Sequence, residues 1–348
     1  MKTIKFGRST VAQSGSAYMI AEIGHNHQGS LETALKMIKT AVECGVNCVK
    51  FQKRDNKNLF TKAYYDRPYD NENSYGDTYG AHREALEFGE KEYRELMACC
   101  EKNNVEFMST AFDVPSVDFL ERLKVTSYKT ASADITNTPL LKYIAKTGKP
   151  MFISTGAATI DEIKIAYDAI HPINDKIILL HCTAGYPTDY KDLNLAAIKT
   201  FQKLFPDAII GYSGHDNGIL ACIAAYMLGA TVMEKHFTMN HAWKGTDHKF
   251  SLEPEGMRKQ VRDLHRIDQA MGDGSKSVRD FESDARAKMG KSLYTVKAMS
   301  AGTVLTEKDI CIKTPGGGLP PYELDTIVNR RLKVDVKEET KLTLDILK

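Results

Sequence analysis

The chain has 348 residues, 42% hydrophobic and 26% charged, an ordinary globular composition that excludes a disordered, collagen-like or disulfide-stapled small protein. Forty-seven Lys and Arg against forty-five Asp and Glu leave +2, too balanced for a protein whose work is neutralising a nucleic-acid backbone. No apolar run approaches the ~20 residues of a membrane span, and the N-terminus lacks the apolar stretch of a secretory signal. The seven cysteines are odd in number and form no C-x-x-C pair, so reduced thiols in a cytoplasmic protein are expected.

In chain order, near-continuous apolar runs predict buried strands at 17–23, 48–52, 106–112, 127–132, 150–155, 177–183, 208–213 and 231–238. Amphipathic stretches predict helices between and after them, at 30–44, 90–102, 115–123, 138–147, 159–169, 190–204, 217–228 and 254–271. Ser30, Ser116, Asn137 and Thr159 read as helix starts. Strand then helix, eight times over, predicts a (β/α)8 TIM barrel; a doubly wound sheet is less favoured because GHNHQG at 24–29 is no G-x-G-x-x-G phosphate loop. A tyrosine-rich insertion at 54–89 is long enough to be functional. The expected barrel domain spans 1–272, a polar linker 273–288 and a small second domain 289–348.

In such a barrel the C-terminal strand ends converge on one face, where active sites form. They carry Glu22, followed by His25, Asn26 and His27; Lys50 and Gln52; Ser109 and Thr110; and Lys129, followed by Ser132 and Asp134. The later strands end in Ser154 and Thr155, His181 and Thr183, Ser213 and His215, and Glu234 and His236. Two lysines and several hydroxyls form a ring of donors with no obvious internal acceptor, which suits a small, multiply charged anion. His215 and His236, from adjacent strands, are candidates to share a divalent metal with coordination positions left open, and are equally readable as hydrogen-bonded core histidines. Glu22 and Glu234 are candidates for general acid–base work. Cys182 reads as a small buried residue rather than a nucleophile.

The motifs AEIGHNHQGSLETA (21–34), KFQK (50–53), YKTASAD (128–134), STG (154–156), CTAGYPT (182–188), GYSGH (211–215), EKHFT (234–238) and GTDHKFSLEP (245–254) resemble the sialic acid synthase family. The stretch 291–321 resembles that family's antifreeze-like (SAF) domain, so the resemblance runs in order along essentially the whole chain. It implies N-acetylneuraminate synthase chemistry: phosphoenolpyruvate condenses with an N-acylated mannosamine-type sugar to a nine-carbon ulosonic acid and phosphate, with Mn2+, Mg2+ or another divalent ion. By the same resemblance His215 and His236 match the metal ligands, and Lys50, Thr110, Lys129, Ser132, Ser154 and Ser213 match phosphoenolpyruvate-binding positions. Glu22, Gln52, Asp134, Tyr186, Glu234 and Asp247 match residues around the sugar, the metal-held water and the reacting centre. Glu22, Glu234, Lys50 and Lys129 are therefore the candidate catalytic residues. The family also implies a homodimer that exchanges its small domains, with no nucleic-acid or membrane partner.

Three positions depart from the pattern: Thr314 stands where bacterial-type members often have Arg, Ala184 where some have Asn, and Asp134 where many have Glu. WKGTDH (243–248), YGAHREALEF (79–88) and FPDAIIGYSGH (205–215) resemble the animal-type synthases, whose acceptor is the 6-phosphorylated sugar. Lys62, Arg67, Arg83 and Lys244 are candidates to meet such a phosphate. The competing readings are a synthase of legionaminic, pseudaminic or deaminated sialic acid, and more distantly a barrel aldolase with Lys129 as Schiff-base nucleophile.

Overall fold

Eight runs that the sequence marks as apolar become eight parallel strands that close on themselves. A computed structural model describes residues 2–348, and the chain divides into two units between Met271 and Gly272. The first unit opens with an antiparallel hairpin, β1 (Thr3–Phe6) and β2 (Ser9–Ala12). The barrel follows: β3 (Tyr18–Gly24), β4 (Cys48–Lys53), β5 (Glu106–Ala111), β6 (Tyr128–Thr130), β7 (Met151–Ser154), β8 (Ile177–Cys182), β9 (Ile209–Gly214) and β10 (Val232–His236). β10 pairs with β3 to close the cylinder.

The period of two along each strand separates the barrel's contents into layers. Tyr18, Ile20, Cys48, Met108, Phe152, Ile178, Leu180, Ile209 and Val232 share one apolar cluster inside it. One step of two further along, the same inward face carries Glu22, Lys50, Thr110, Ser154, Ser213 and Glu234. Intervening residues such as Met19, Val49, Phe107, Ile153, Leu179 and Met233 belong to the larger cluster formed with the helices. Because both faces are covered, no strict polar alternation survives in the sequence. Gly211 makes room on the inward face: a Cβ there would lie 2.6 Å from the Val232 carbonyl oxygen.

The hairpin is absent from the sequence-based expectation. Its Ile4, Phe6 and Val11 join the inner apolar cluster, with Phe6 edge-on to Tyr18 and to Phe152, which stops the N-terminal end of the barrel. The helices start largely where capping side chains predict: Ser30 accepts from Thr33 N–H, Asn137 from Leu140 N–H and Thr159 from Glu162 N–H. Ser116 is the exception, because Asp113 accepts from its N–H at 2.7 Å and starts the helix Val114–Arg122 earlier.

The insertion 54–89 folds into short helices, Asn56–Leu59, Lys62–Tyr65 and Tyr79–Glu84, around aromatic rings packed edge to face. Tyr79 packs against Phe60, Tyr64 and Tyr69 at 4.9–5.3 Å, and Arg67 lies 3.8 Å over the Tyr64 ring.

The second unit pairs β11 (Ser292–Thr295) with β12 (Ile310–Lys313) over a core including Leu293, Leu305, Ile327, Leu332 and Leu342. It corrects the expected linker at 273–288: Ser283–Met289 is a helix belonging to this unit, tied to it by Gly316 N–H donating to the Ala287 carbonyl. Among the described residues no helix is long and apolar enough to cross a membrane, and all seven cysteines are free thiols.

Candidate active site

A cavity of about 440 Å³ opens at the C-terminal ends of the barrel strands. Of the residues that the family resemblance matches to metal, phosphoenolpyruvate, sugar and reacting centre, all line it except Asp134. The short 3-10 turn Ser132–Asp134 aims that carboxylate instead at Asn137, whose Nδ2 donates to Oδ1 at 3.3 Å. Burial, opposed by this bond, pushes the Asp134 carboxyl up to about 6. Asp134 therefore supports the turn that presents Ser132, and its other oxygen, Oδ2, is buried without a hydrogen-bond partner.

The floor of the cavity is a charge-balanced cluster. Strand register sets Glu22 beside Lys50, Gln52 beside Thr110, Thr110 beside Lys129 and Ser213 beside Glu234. Lys50 Nζ lies 2.8 Å from Glu22 and 3.7 Å from Glu234, and donates to Thr110 Oγ1 at 3.0 Å. Lys129 Nζ lies 3.7 Å from Glu234, to which Ser213 Oγ also donates at 3.0 Å. The expectation of donors without internal acceptors is thus corrected. Two ammoniums buried this deeply need counter-charges, and the two glutamates supply them.

The two carboxylates differ in proton affinity. Burial raises that of Glu22, and the Glu234 charge adds to this while Lys50 opposes it; the net shift is upward. Burial acts the same way on Glu234, but Lys129 and Lys50 together overcome it and hold the group at about 2. Lys129 itself is lowered by burial despite Glu234, whereas Lys50, between two carboxylates, is raised against the pull of burial. Ser154 Oγ and Glu234 Oε2 are buried without a hydrogen-bond partner, so polar capacity faces the cavity unused.

Beside this floor the His215 and His236 rings stand 5.3 Å apart, centroid to centroid. His215 Nδ1 is 3.3 Å from the Thr183 carbonyl, which can only accept; the ring proton sits there and Nε2 keeps its lone pair. His236 Nδ1 is buried without a hydrogen-bond partner, 3.7 Å from Asp247 Oδ2. Burial holds both rings neutral, each at about 4, with the neighbouring imidazole lowering His215 further and Asp247 partly offsetting the effect at His236. Two neutral imidazoles, with the Asp247 carboxylate close to one of them, fit a divalent cation with open coordination positions. Among the described residues no group of three or more His, Cys, Asp or Glu side chains is arranged to hold a metal, so the pair alone would anchor it.

The insertion supplies a wall that the strand ends did not announce. Arg54, stacked 3.6 Å over Phe112, and Arg83 both line the cavity and approach opposite nitrogens of His25, at 3.1 and 3.3 Å. Among the described residues Glu87 is the carboxylate that pairs with Arg54, at 3.8 Å, and it is shared with Lys53 at 3.0 Å. Burial and then the Arg83 charge lower Arg54 to about 10. Arg54 and Phe112 lie just past β4 and β5, where a search of the two residues after each strand would have found them.

His27 and His181 lie outside the lining; His181 Nε2 is 2.8 Å from the Leu193 carbonyl. His27 stacks on Phe88, its Nδ1 accepts from Gly29 N–H at 3.1 Å, and burial followed by the His25 charge lowers it to about 3. Above pH 6.5 the ring is neutral folded and unfolded, so its stabilisation is complete; between 6.5 and 3 only the unfolded chain takes the proton, and stability is lost. Lowering the pH from 7 to 5 is expected to remove about 2 kcal/mol through this residue. Urea unfolding at both pH values should show a loss smaller by that amount in His27→Gln; an equal loss in variant and parent would refute the assignment.

The model of the NeuB family matches residues 37–276, and that of the SAF domain matches residues 290–347. The N-acetylneuraminate-9-phosphate synthase of Homo sapiens is 39% identical over 331 residues, covering 95% of this chain and 92% of its own. The N,N'-diacetyllegionaminic acid synthase of Legionella pneumophila is 35% identical, covering 94% of each chain. The crystal structure of the N-acetylneuraminic acid synthetase from Leptospira borgpetersenii superposes with a TM-score of 0.71 at 32% identity, covering 82% of this chain and 95% of that one. Matched by the family's own model over most of its length and by such relatives nearly end to end, the chain belongs to the NeuB family of sialic acid synthases, with a SAF domain following the barrel in sequence.

Proposed function

We propose that this cavity joins phosphoenolpyruvate to the open-chain aldehyde of an N-acylated mannosamine-type sugar, giving a nonulosonic acid and phosphate, with a divalent cation such as Mn2+ or Mg2+ on His215 and His236. Phosphoenolpyruvate-dependent carbon–carbon bond formation is the chemistry of the family. The observation that carries the reading is the pair of buried ammoniums, Lys50 and Lys129, set among hydroxyls next to two neutral imidazoles. Phosphoenolpyruvate brings a phosphate and a carboxylate, which need charge-assisted and neutral donors from several directions; Lys50, Lys129, Thr110 and Ser154 offer them.

When bound, the cation supplies Lewis-acid polarisation of the aldehyde oxygen. The C2=C3 electron pair of the enol forms the new bond to the aldehyde carbon, whose oxygen becomes a hydroxyl. Water then adds to C2, and Glu22, the carboxylate with raised proton affinity, accepts its proton. Glu234 stays ionised and compensates the charge developing at C2. Breaking the C2–O bond releases phosphate and leaves the ketone; of the two water protons, one ends on the hydroxyl and one on phosphate.

Incubation with phosphoenolpyruvate, Mn2+ and a panel of mannosamine derivatives tests this. Phosphate release should require both sugar and metal and stop with chelator. In 18O-labelled water the released phosphate should carry no label, since the C–O bond breaks. Labelled phosphate, or release that needs no sugar, sinks the reading.

A finer reading, the 6-phosphorylated acceptor, is favoured by Arg83. Carbon 6 of the sugar becomes carbon 9 of the product, the position named for the human relative. Of the four cations considered for this phosphate, only Arg83 lines the cavity, and among the described residues no carboxylate pairs with it. Lys62 pairs with Asp66, Arg67 stacks on Tyr64 and Tyr79, and Lys244 lies over Tyr75. The phosphorylated sugar should have the higher kcat/KM, and Arg83→Gln should cut it by about 10–100-fold, as expected for losing a charged hydrogen bond. Equal kcat/KM for the two sugars in the parent enzyme excludes this acceptor. The implied homodimer, exchanging its small domains, belongs to the same proposal; light scattering should give twice the chain mass.

A further inference from the structure

Directly behind the two imidazoles, on the side of the strands away from the cavity, lies an ion pair that the proposed chemistry does not use. Lys235 Nζ is 2.8 Å from Asp216 Oδ1, and neither side chain is more than 1% exposed. The same ammonium also donates to the Asp216 main-chain carbonyl, so it grips that residue at two points. Tyr212 Oη donates to Asp216 Oδ1 at 2.8 Å. Space for this arrangement depends on Gly214, the register partner of Lys235, where a Cβ would sit 2.6 Å from Asp216 Oδ1.

Position in the chain gives the pair its meaning. Asp216 follows His215 and Lys235 precedes His236. Along each strand successive side chains point to opposite faces, so the residues next to the imidazoles face the helix layer. The pair therefore ties the end of β9 to β10 at the level where the two rings emerge. A buried ion pair is weak evidence for stability, since apolar side chains of similar volume are often neutral or stabilising in its place. Its carboxylate even keeps one oxygen, Oδ2, without a hydrogen bond. Fixing two strand ends in one register is the best-attested use of a buried ion pair with set partners.

We infer that Asp216 and Lys235, braced by Tyr212, are positioning residues that set the separation and facing of His215 and His236, and through them the affinity for a divalent cation. This rests on the reading above that the two imidazoles hold the metal.

The test measures Mn2+ binding to the full chain by electron paramagnetic resonance, alongside the thermal unfolding midpoint. The triple variant Tyr212→Phe/Asp216→Leu/Lys235→Met replaces the polar group by apolar side chains and leaves no orphaned hydroxyl. It should unfold at about the parent temperature yet bind Mn2+ about 10–100-fold more weakly, the usual cost of losing a group that orients metal ligands. Tyr212→Phe alone keeps the ion pair but removes its brace, and should weaken binding about threefold or more. Parent-like Mn2+ affinity in either folded variant overturns the inference, and so does a loss of affinity that only follows a loss of thermal stability. If the triple variant does not fold, Tyr212→Phe decides. His215→Ala and His236→Ala separate the two failures: if they bind Mn2+ as tightly as the parent, the metal reading itself falls and takes the inference with it.

Discussion

Glu22→Gln is expected to lower kcat by about 10²–10⁴-fold, the range for losing a positioned proton acceptor. The amide keeps the shape of the carboxyl, and Lys50 keeps Glu234 at 3.7 Å, so phosphoenolpyruvate binding should change far less than turnover. The pH profile identifies the role. Glu22 must be ionised to take the water proton; burial, reinforced by Glu234 and opposed by Lys50, raises its pKa above the ordinary carboxylate value. Activity should therefore fall as pH drops through that raised value, and the acid limb should vanish in Glu22→Gln. Glu234, held at about 2, stays ionised throughout and contributes no such limb. Retention of the parent kcat, or of the acid limb, would assign the proton transfer elsewhere.

Lys129→Met should cost about 10²–10³-fold in kcat/KM for phosphoenolpyruvate, expressed mainly in KM, the magnitude seen when one member of a buried charge pair is truncated. Methionine keeps the apolar stem that fills the barrel interior and removes only the cation. Two losses then combine: the anion forfeits a donor, and Glu234 loses the partner 3.7 Å away that helps to hold it ionised. Lys129→Arg should restore little, because a planar fork does not replace a point charge in a closed cluster. The same lysine decides against the aldolase alternative. Borohydride added during turnover should leave no adduct on Lys129; a trapped adduct would show a Schiff base and a different mechanism.

The legible part of the site was legible for one reason. A parallel barrel buries both faces of its strands, so a charge inside an apolar run stands out; Lys50 in CVKFQ, Lys129 in SYKTA and Glu234 in VMEKHF all did. Residues that matter by where loops fold were not legible from spacing. Arg83 reaches the cavity because the insertion packs around Tyr79 and returns over the barrel mouth, and only the resemblance to the animal-type synthases pointed to it. Asp134 shows the opposite case: it follows a site strand, yet a single 3-10 turn brings one of its carboxylate oxygens to Asn137 and leaves the residue out of the cavity lining. The hairpin Thr3–Ala12 was missed because two four-residue strands leave little periodicity, although its alternating burial shows an apolar face turned to the core.

By itself, the sequence determined the barrel, since eight apolar runs with amphipathic stretches between and after them have few other ways to bury both strand faces. It also determined which face carries the polar groups, because the period of two places Glu22, Lys50, Ser213 and Glu234 in register with the apolar residues below them. Only the tertiary structure decided that the lysines and glutamates form one neutralised cluster, and that Glu22 rather than Glu234 holds its proton more tightly. Those properties depend on distances between strands and on burial, and electrostatic energy inside a protein follows both far more steeply than it follows order along the chain.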